Sequence, residues 1–190
     1  MSALQLIDAW PVPHAAVAVV DPHDVLDERG ATADVLVLAS VTKPIAAYAT
    51  LIAIEEGALE LDEPAGPPGA TVRHLLAHTA GYAFESGSAP ICRPGAKRIY
   101  SNQGFEVLQA HVQERTGIHF AQYLEEAVFE PLGMTSSELR GSAAHEAYSS
   151  IDDLTRFARE LLAPSLISHY TWREFVTVQF PGLSGVLPGH

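Results

Sequence analysis

The amino-acid sequence predicts an α/β fold of the α+β kind, in which a helical region packs against an antiparallel sheet. Three observations carry this reading. Residues 14–20 (His-Ala-Ala-Val-Ala-Val-Val) form a short valine-rich run of strand character, and residues 25–28 return from it across the turn chemistry of Asp21-Pro22-His23-Asp24. From Ser40 onward, apolar residues recur at helical spacing. At 190 residues and 47% hydrophobic, the chain is long and apolar enough to bury one sizeable core. Two strands alone do not make a stable sheet, so helices or further strands must cover them.

The elements follow in order. Residues 35–39 are apolar again and lead into Ser40, a favourable N-cap residue. A helix runs from there to about Glu56, with Ile45, Ala49, Ile52 and Ala53 on one face and Gly57 as its stop. Pro44 falls in the first turn, where a missing N–H costs nothing. Residues 59–69 carry Pro64, Pro67 and Pro68 among glycines and read as loop. A short helix over 71–78 has Thr71 as its cap, and 81–95 is irregular. Helices are then predicted over about 104–115 (closed by Gly117), 120–129 (ended by Pro131 and Gly133), 152–162 and 168–178, with 181–190 as loop. The expected organisation is one domain over 1–190, with N-terminal strands in 14–39 and a helical region over 40–180.

A formal net charge of −12 argues against nucleic acid, which needs clustered Lys and Arg. The single cysteine, Cys92, excludes an internal disulfide and reads as a free thiol of a reducing compartment. Residues 1–13 lack a basic head followed by an apolar stretch, and no apolar run approaches the ~20 residues of a membrane span. A cytoplasmic location without membrane contact is therefore expected, with no cofactor and no metal.

The chemistry-bearing stretch is Ser40-Val41-Thr42-Lys43. On a helix, positions i and i+3 share a face, so the Lys43 amine reaches the Ser40 hydroxyl. A serine hydroxyl needs an adjacent base, and a lysine serves as one near neutral pH where burial or a positive dipole favours its neutral form. Taken alone, the same residues read as an N-cap and a solvated side chain. Tyr100-Ser101-Asn102 sits at a loop-to-helix junction, where a phenol beside a lysine can move protons and an amide can hold a substrate carbonyl. Alone, it is a half-buried aromatic and a helix cap. His74 and His78 stand at metal-ligand spacing, but the glutamate of His-Glu-x-x-His is replaced by Leu75, and structural roles are expected. The acidic pairs Glu55-Glu56, Glu125-Glu126 and Asp152-Asp153 read as solvated faces and helix-dipole partners.

Taken together, Ser40-Val41-Thr42-Lys43 and Tyr100-Ser101-Asn102 resemble the penicillin-recognising serine hydrolases, the superfamily of serine β-lactamases, D,D-peptidases and related esterases. Leu61-Asp62-Glu63-Pro64, the segment from Thr71 to Gly81, Pro94-Gly95 and Pro131-Leu132-Gly133-Met134 look like the class C β-lactamase and esterase branch. The resemblance runs from about His14 to the end of the chain. It implies a β-lactamase/transpeptidase-like fold in which Ser40 forms an acyl-enzyme on a small-molecule ester, amide or β-lactam. Lys43 and Tyr100 would share the proton traffic, and Asn102 would orient the substrate. The superfamily also has a third motif, Lys-Thr-Gly or His-x-Gly, on a strand that supplies half of the oxyanion hole. Neither occurs here; His190 is the last residue. A chain lacking the C-terminal sheet strands is therefore expected, poorly active by itself or a binding module retaining the helical half. Unpaired sheet edges would then favour self-association.

Overall fold

The computed structural model describes residues 3–186. Its N-terminal unit is an antiparallel hairpin of β1 (Ala16–Val20) and β2 (Val25–Gly30), in register from Ala16 opposite Gly30 to Val19 opposite Asp27, with an irregularity at Val19/Val20. The turn closes because Asp21 Oδ1 accepts from the His23 and Asp24 N–H groups, both at 2.7 Å. Those backbone donors hold the Asp21 carboxyl below its ordinary range.

Further strands join beyond those the sequence announced. β3 (Leu36–Val37) pairs with a strand at Ala147–Ser149, which pairs with one at Glu138–Leu139, making a three-stranded antiparallel sheet. Two residues at Arg98–Ile99 run parallel to Gly185–Val186. In chain order these four are β4 (Arg98–Ile99), β5 (Glu138–Leu139), β6 (Ala147–Ser149) and β7 (Gly185–Val186). Strands of two or three residues are too short for a period-2 pattern to show in sequence. β7 lies in the segment expected to be loop, and His190 lies outside the described residues.

The core is organised around α1 (Thr42–Glu55), which is buried on nearly all sides. The expected single apolar face understates it. Ala46, Tyr48 and Thr50 are as buried as Ile45 and Ala49, the pattern of a helix enclosed by others. Around it pack α3 (Asn102–Thr116), α4 (Phe120–Leu124) and α7 (His169–Val176). The end of α1 is a full Schellman arrangement: Gly57, at φ 77°, donates to Ile54 O and Ala58 donates to Ala53 O. The start differs from the expected one. Ser40 lies in a 3-10 turn (Ala39–Val41) ahead of α1, and the N-cap position is Val41, with no side-chain cap. The Ser40 hydroxyl is thereby left to other partners.

The remaining helices are α2 (Val72–Leu76), α5 (Glu130–Leu132) and α6 (Ile151–Leu162). Between α4 and α5 the chain widens into a π-helical turn, Glu125–Phe129, with the Glu130 N–H reaching back to Glu125 O just ahead of Pro131. Ser150 and Ser168 cap α6 and α7 by accepting from the Asp153 and Thr171 N–H groups. The acidic pairs are not simply solvated. Glu55 accepts from Ser168 N–H, Glu56 from the Tyr123 hydroxyl at 2.7 Å, and buried Asp153 from Ser136 N–H and the Ser137 hydroxyl. No helix among the described residues is long and apolar enough to cross a membrane.

Gly81 shapes the irregular loop over residues 81–95. Its φ is 92°, and a Cβ there would stand 2.1 Å from the carbonyl oxygen of Cys92. Gly81→Ala therefore meets backbone on both counts, strain and overlap. It is expected to lower stability by about 2–4 kcal/mol in urea unfolding.

Candidate active site

The site assembles where three chain segments meet. The first is the 3-10 turn that delivers Ser40 to the surface, one turn ahead of Lys43 on α1. Thr42, fully buried between them, locks this turn. Its hydroxyl donates to Ala39 O at 2.7 Å and accepts from the Ala147 N–H of β6 at 3.1 Å. Ala39, at φ 46°, makes the sharp entry that sets Ser40 at the N-terminal, positive end of α1.

The second segment is the junction into α3. Ser101, not Asn102, is the N-cap: its side chain accepts from Gly104 N–H at 3.0 Å and its hydroxyl donates to Ala83 O at 2.6 Å. Asn102 is thereby released from capping, and its Oδ1 faces Lys43. The third segment is the loop over 140–146, which sequence reasoning missed. Its Ala143 N–H donates to Gln109 Oε1 at 2.8 Å, and the neighbouring Ala144 carbonyl turns inward.

Lys43 lies at the centre, 4% exposed. Its Nζ donates to Asn102 Oδ1 at 2.8 Å and to Ala144 O at 2.8 Å, and stands 3.1 Å from Ser40 Oγ. The Tyr100 ring centroid is 4.6 Å from the same nitrogen. All four residues singled out in the sequence, Ser40, Lys43, Tyr100 and Asn102, thus converge on one point. The arrangement accommodates both protonation states of the amine. An ammonium gives all three N–H bonds to three oxygens. A neutral amine gives two to the carbonyls and turns its lone pair to the Ser40 O–H. In either state the amine donates toward Asn102, so the Asn102 amide presents its oxygen to Lys43 and leaves Nδ2 to donate elsewhere.

The histidine pair does not form a metal site. α2 ends at Leu76, so His78 lies beyond it, at φ 58°, and the two residues do not share a helical face. His74 Nδ1 pairs with the Thr71 hydroxyl at 2.8 Å, and its ring lies tilted against that of Phe180. Among the described residues no group of three His, Cys, Asp or Glu side chains could hold a metal ion. His78 instead accepts the Ser101 N–H on Nδ1 at 3.2 Å, and its ring lies against Tyr100. Burial, then the charges of Lys43 and Arg98, lower its pKa from an ordinary 6.5 to about 4. Between these values the unfolded chain takes a proton that the folded chain refuses. Stability is therefore insensitive to this group above pH 6.5 and falls as the pH drops toward 4, by about 2–3 kcal/mol. Urea midpoints measured from pH 7 to 4.5 are expected to show this slope in the wild type and to lose it in His78→Phe.

The chain is similar to known proteins in sequence and in fold. The family model described as Beta-lactamase matches residues 11–188. A β-lactamase from Mycobacterium bovis superposes with a TM-score of 0.96 at 53% identity, covering 99% of this chain and 70% of that one. Penicillin-binding protein 4* of Bacillus subtilis (strain 168) is 24% identical over 167 residues, 71% of this chain and 33% of that protein. The Beta-lactamase of Escherichia coli (strain K12) is 24% identical over 232 positions, 89% of this chain and 62% of that protein. The chain thus spans less than two thirds of the curated relatives it matches. The fold and its neighbours are those of the penicillin-recognising serine hydrolase superfamily. Within it, the chain belongs to the β-lactamase family.

Proposed function

We propose that this chain is the nucleophile-bearing part of a serine hydrolase that cleaves small-molecule esters or amides, β-lactams included, through an acyl-enzyme on Ser40. The observation that carries this is the 3.1 Å approach of Lys43 Nζ to Ser40 Oγ, with the other two amine directions held by carbonyl oxygens. Lys43 takes the Ser40 proton as Oγ bonds to the substrate carbonyl carbon. The C–N or C–O bond of the tetrahedral adduct then breaks, and the leaving group departs with a proton delivered through Lys43 and Tyr100. Water attacks the Ser40 ester, and the acid is released. Asn102 Nδ2 meets the substrate's amide or ester oxygen. The positive end of α1 favours the charge developing at Ser40.

The sequence holds neither Lys-Thr-Gly nor His-x-Gly between Met1 and His190. A second oxyanion donor is worth roughly 10²–10³ in rate, so acylation by this chain is slow by about that factor. Intact-protein mass spectrometry after incubation with a fluorophosphonate tests the reading. One adduct on Ser40, lost in Ser40→Ala, is expected. A folded chain that takes no adduct is instead a binding module, the reading that the absent motif favours. Nitrocefin against short-chain p-nitrophenyl esters then separates β-lactam from ester preference, and faster ester cleavage is expected.

A further inference from the structure

The geometry points to His78 as a positioning residue for Tyr100 and Asn102, an inference that rests on reading Ser40 as the acylated nucleophile. After α2 the chain turns through His78 in the left-handed region, at φ 58°. Few residues other than glycine sit there, although histidine is among those enriched. The turn aims the side chain at the segment entering α3. Four contacts follow, three on residues 99–101 and one on Phe105. The His78 carbonyl accepts the Ile99 N–H at 2.8 Å. Nδ1 accepts the Ser101 N–H at 3.2 Å. The ring lies 4.6 Å from the Tyr100 ring centroid, tilted by 41°, and 5.2 Å from that of Phe105.

Tyr100 is therefore gripped on both flanking residues and on its ring. Ser101 is held extended, at φ −137° and ψ 126°, and this sets the direction in which Asn102 starts α3. The groups facing the imidazole are Lys43, Arg98 and the Tyr100 and Phe105 rings. An N–H can donate only to an unprotonated nitrogen, so the imidazole is neutral with its proton on Nε2. His78 touches no reacting atom. It acts through the residues that do, and displacements of about 1 Å in such positions cost up to ~100-fold in rate.

Two measurements test this. Nitrogen-15 NMR of the histidines in the intact chain at pH 7 is expected to show His78 as the Nε2–H form with a bare Nδ1. An Nδ1–H form overturns the proposal. Fluorophosphonate labelling of Ser40 is then timed in His78→Phe, which keeps a ring against Tyr100 but has no acceptor, and in His78→Asn, which keeps an acceptor and tolerates the left-handed backbone. His78→Phe is expected to label roughly 10–100-fold more slowly than wild type, with His78→Asn faster than His78→Phe. A His78→Phe chain that labels at the wild-type rate overturns the proposal. Should the wild type take no label, the hydrolase reading fails by itself. The Nε2–H tautomer and a displaced Ser101 amide resonance in His78→Phe then support the positioning role, and an unmoved resonance overturns it.

Discussion

Lys43→Met is expected to slow fluorophosphonate labelling of Ser40, in which Oγ bonds to phosphorus and fluoride leaves, by roughly 10²–10⁴-fold, the range set by removing a positioned proton acceptor. Methionine matches the length of the lysine stem and keeps an apolar side chain beside the Tyr100 and Phe105 rings, so the loss isolates the amine. The change also leaves Asn102 Oδ1 and the Ala144 carbonyl, each now 2.8 Å from the lysine nitrogen, without their donor. Each abandoned acceptor costs about 1–3 kcal/mol where water cannot reach it. The relief of no longer burying an amine offsets part of this. A net loss of about 1–3 kcal/mol in urea unfolding follows, small enough to leave the chain folded at 25 °C. Labelling rates at matched folded fractions separate the two effects. An unchanged rate would mean that the Ser40 proton leaves by another route, with Tyr100 the first candidate.

The legible part of the site and the illegible part differ in kind. Ser40 and Lys43 were readable because their spacing is local, and Tyr100 and Asn102 because their side chains form a motif. The Ala144 carbonyl was not readable, since any residue supplies a carbonyl and only tertiary structure aims it. Thr42 was hidden for a related reason. Within an apolar helical run a threonine looks like filler, yet its hydroxyl joins Ala39 to β6. The expectation that Ser40 caps α1 failed because capping preference is a local tendency, overridden here by the 3-10 turn that Leu38 and Ala147 pin at 2.8 Å. In the fold, long elements with caps were found close to their expected bounds: α1 stops before Gly57, and α6 starts after Ser150. β3, β5 and β6 escaped because their partners are distant in sequence and each strand has only two or three residues.

Glu160→Ala is expected to be the most destabilising of the substitutions considered, at about 3–5 kcal/mol, the cost of opening a buried charged network on one side. Glu160 is 5% exposed on α6 and accepts four bonds: from the Tyr48 hydroxyl at 2.6 Å, the Ser165 N–H at 2.8 Å, the Ser165 hydroxyl at 2.7 Å and the Leu166 N–H at 2.8 Å. Tyr48 belongs to α1 and is fully buried. Its phenol is pushed well above the ordinary range by burial and by the Glu160 hydrogen bond, so it stays a donor at any working pH. Ser165 and Leu166 belong to the turn that leads into α7. One carboxylate thus ties together three elements, and Phe157 and Phe175 close on the Tyr48 ring edge-on at 5.6 and 5.7 Å. Alanine takes the acceptor from the buried Tyr48 phenol and from three part-buried donors, the Ser165 and Leu166 N–H groups and the Ser165 hydroxyl, and opens a cavity. Glutamine is the discriminating comparison. Oε1 takes three of the four bonds, and an amide carbonyl replaces it, while an amide nitrogen at Oε2 can donate to the Ser165 hydroxyl. Glu160→Gln is therefore expected to cost no more than about 1–2 kcal/mol, the difference between a charge-assisted and a neutral bond. If urea unfolding instead finds glutamine as damaging as alanine, the charge and not the bond pattern holds α1 to α6. Because α1 carries Lys43 on its first turn and continues directly from the 3-10 turn that holds Ser40, either result also bears on how firmly the nucleophile is held from the far side of the core.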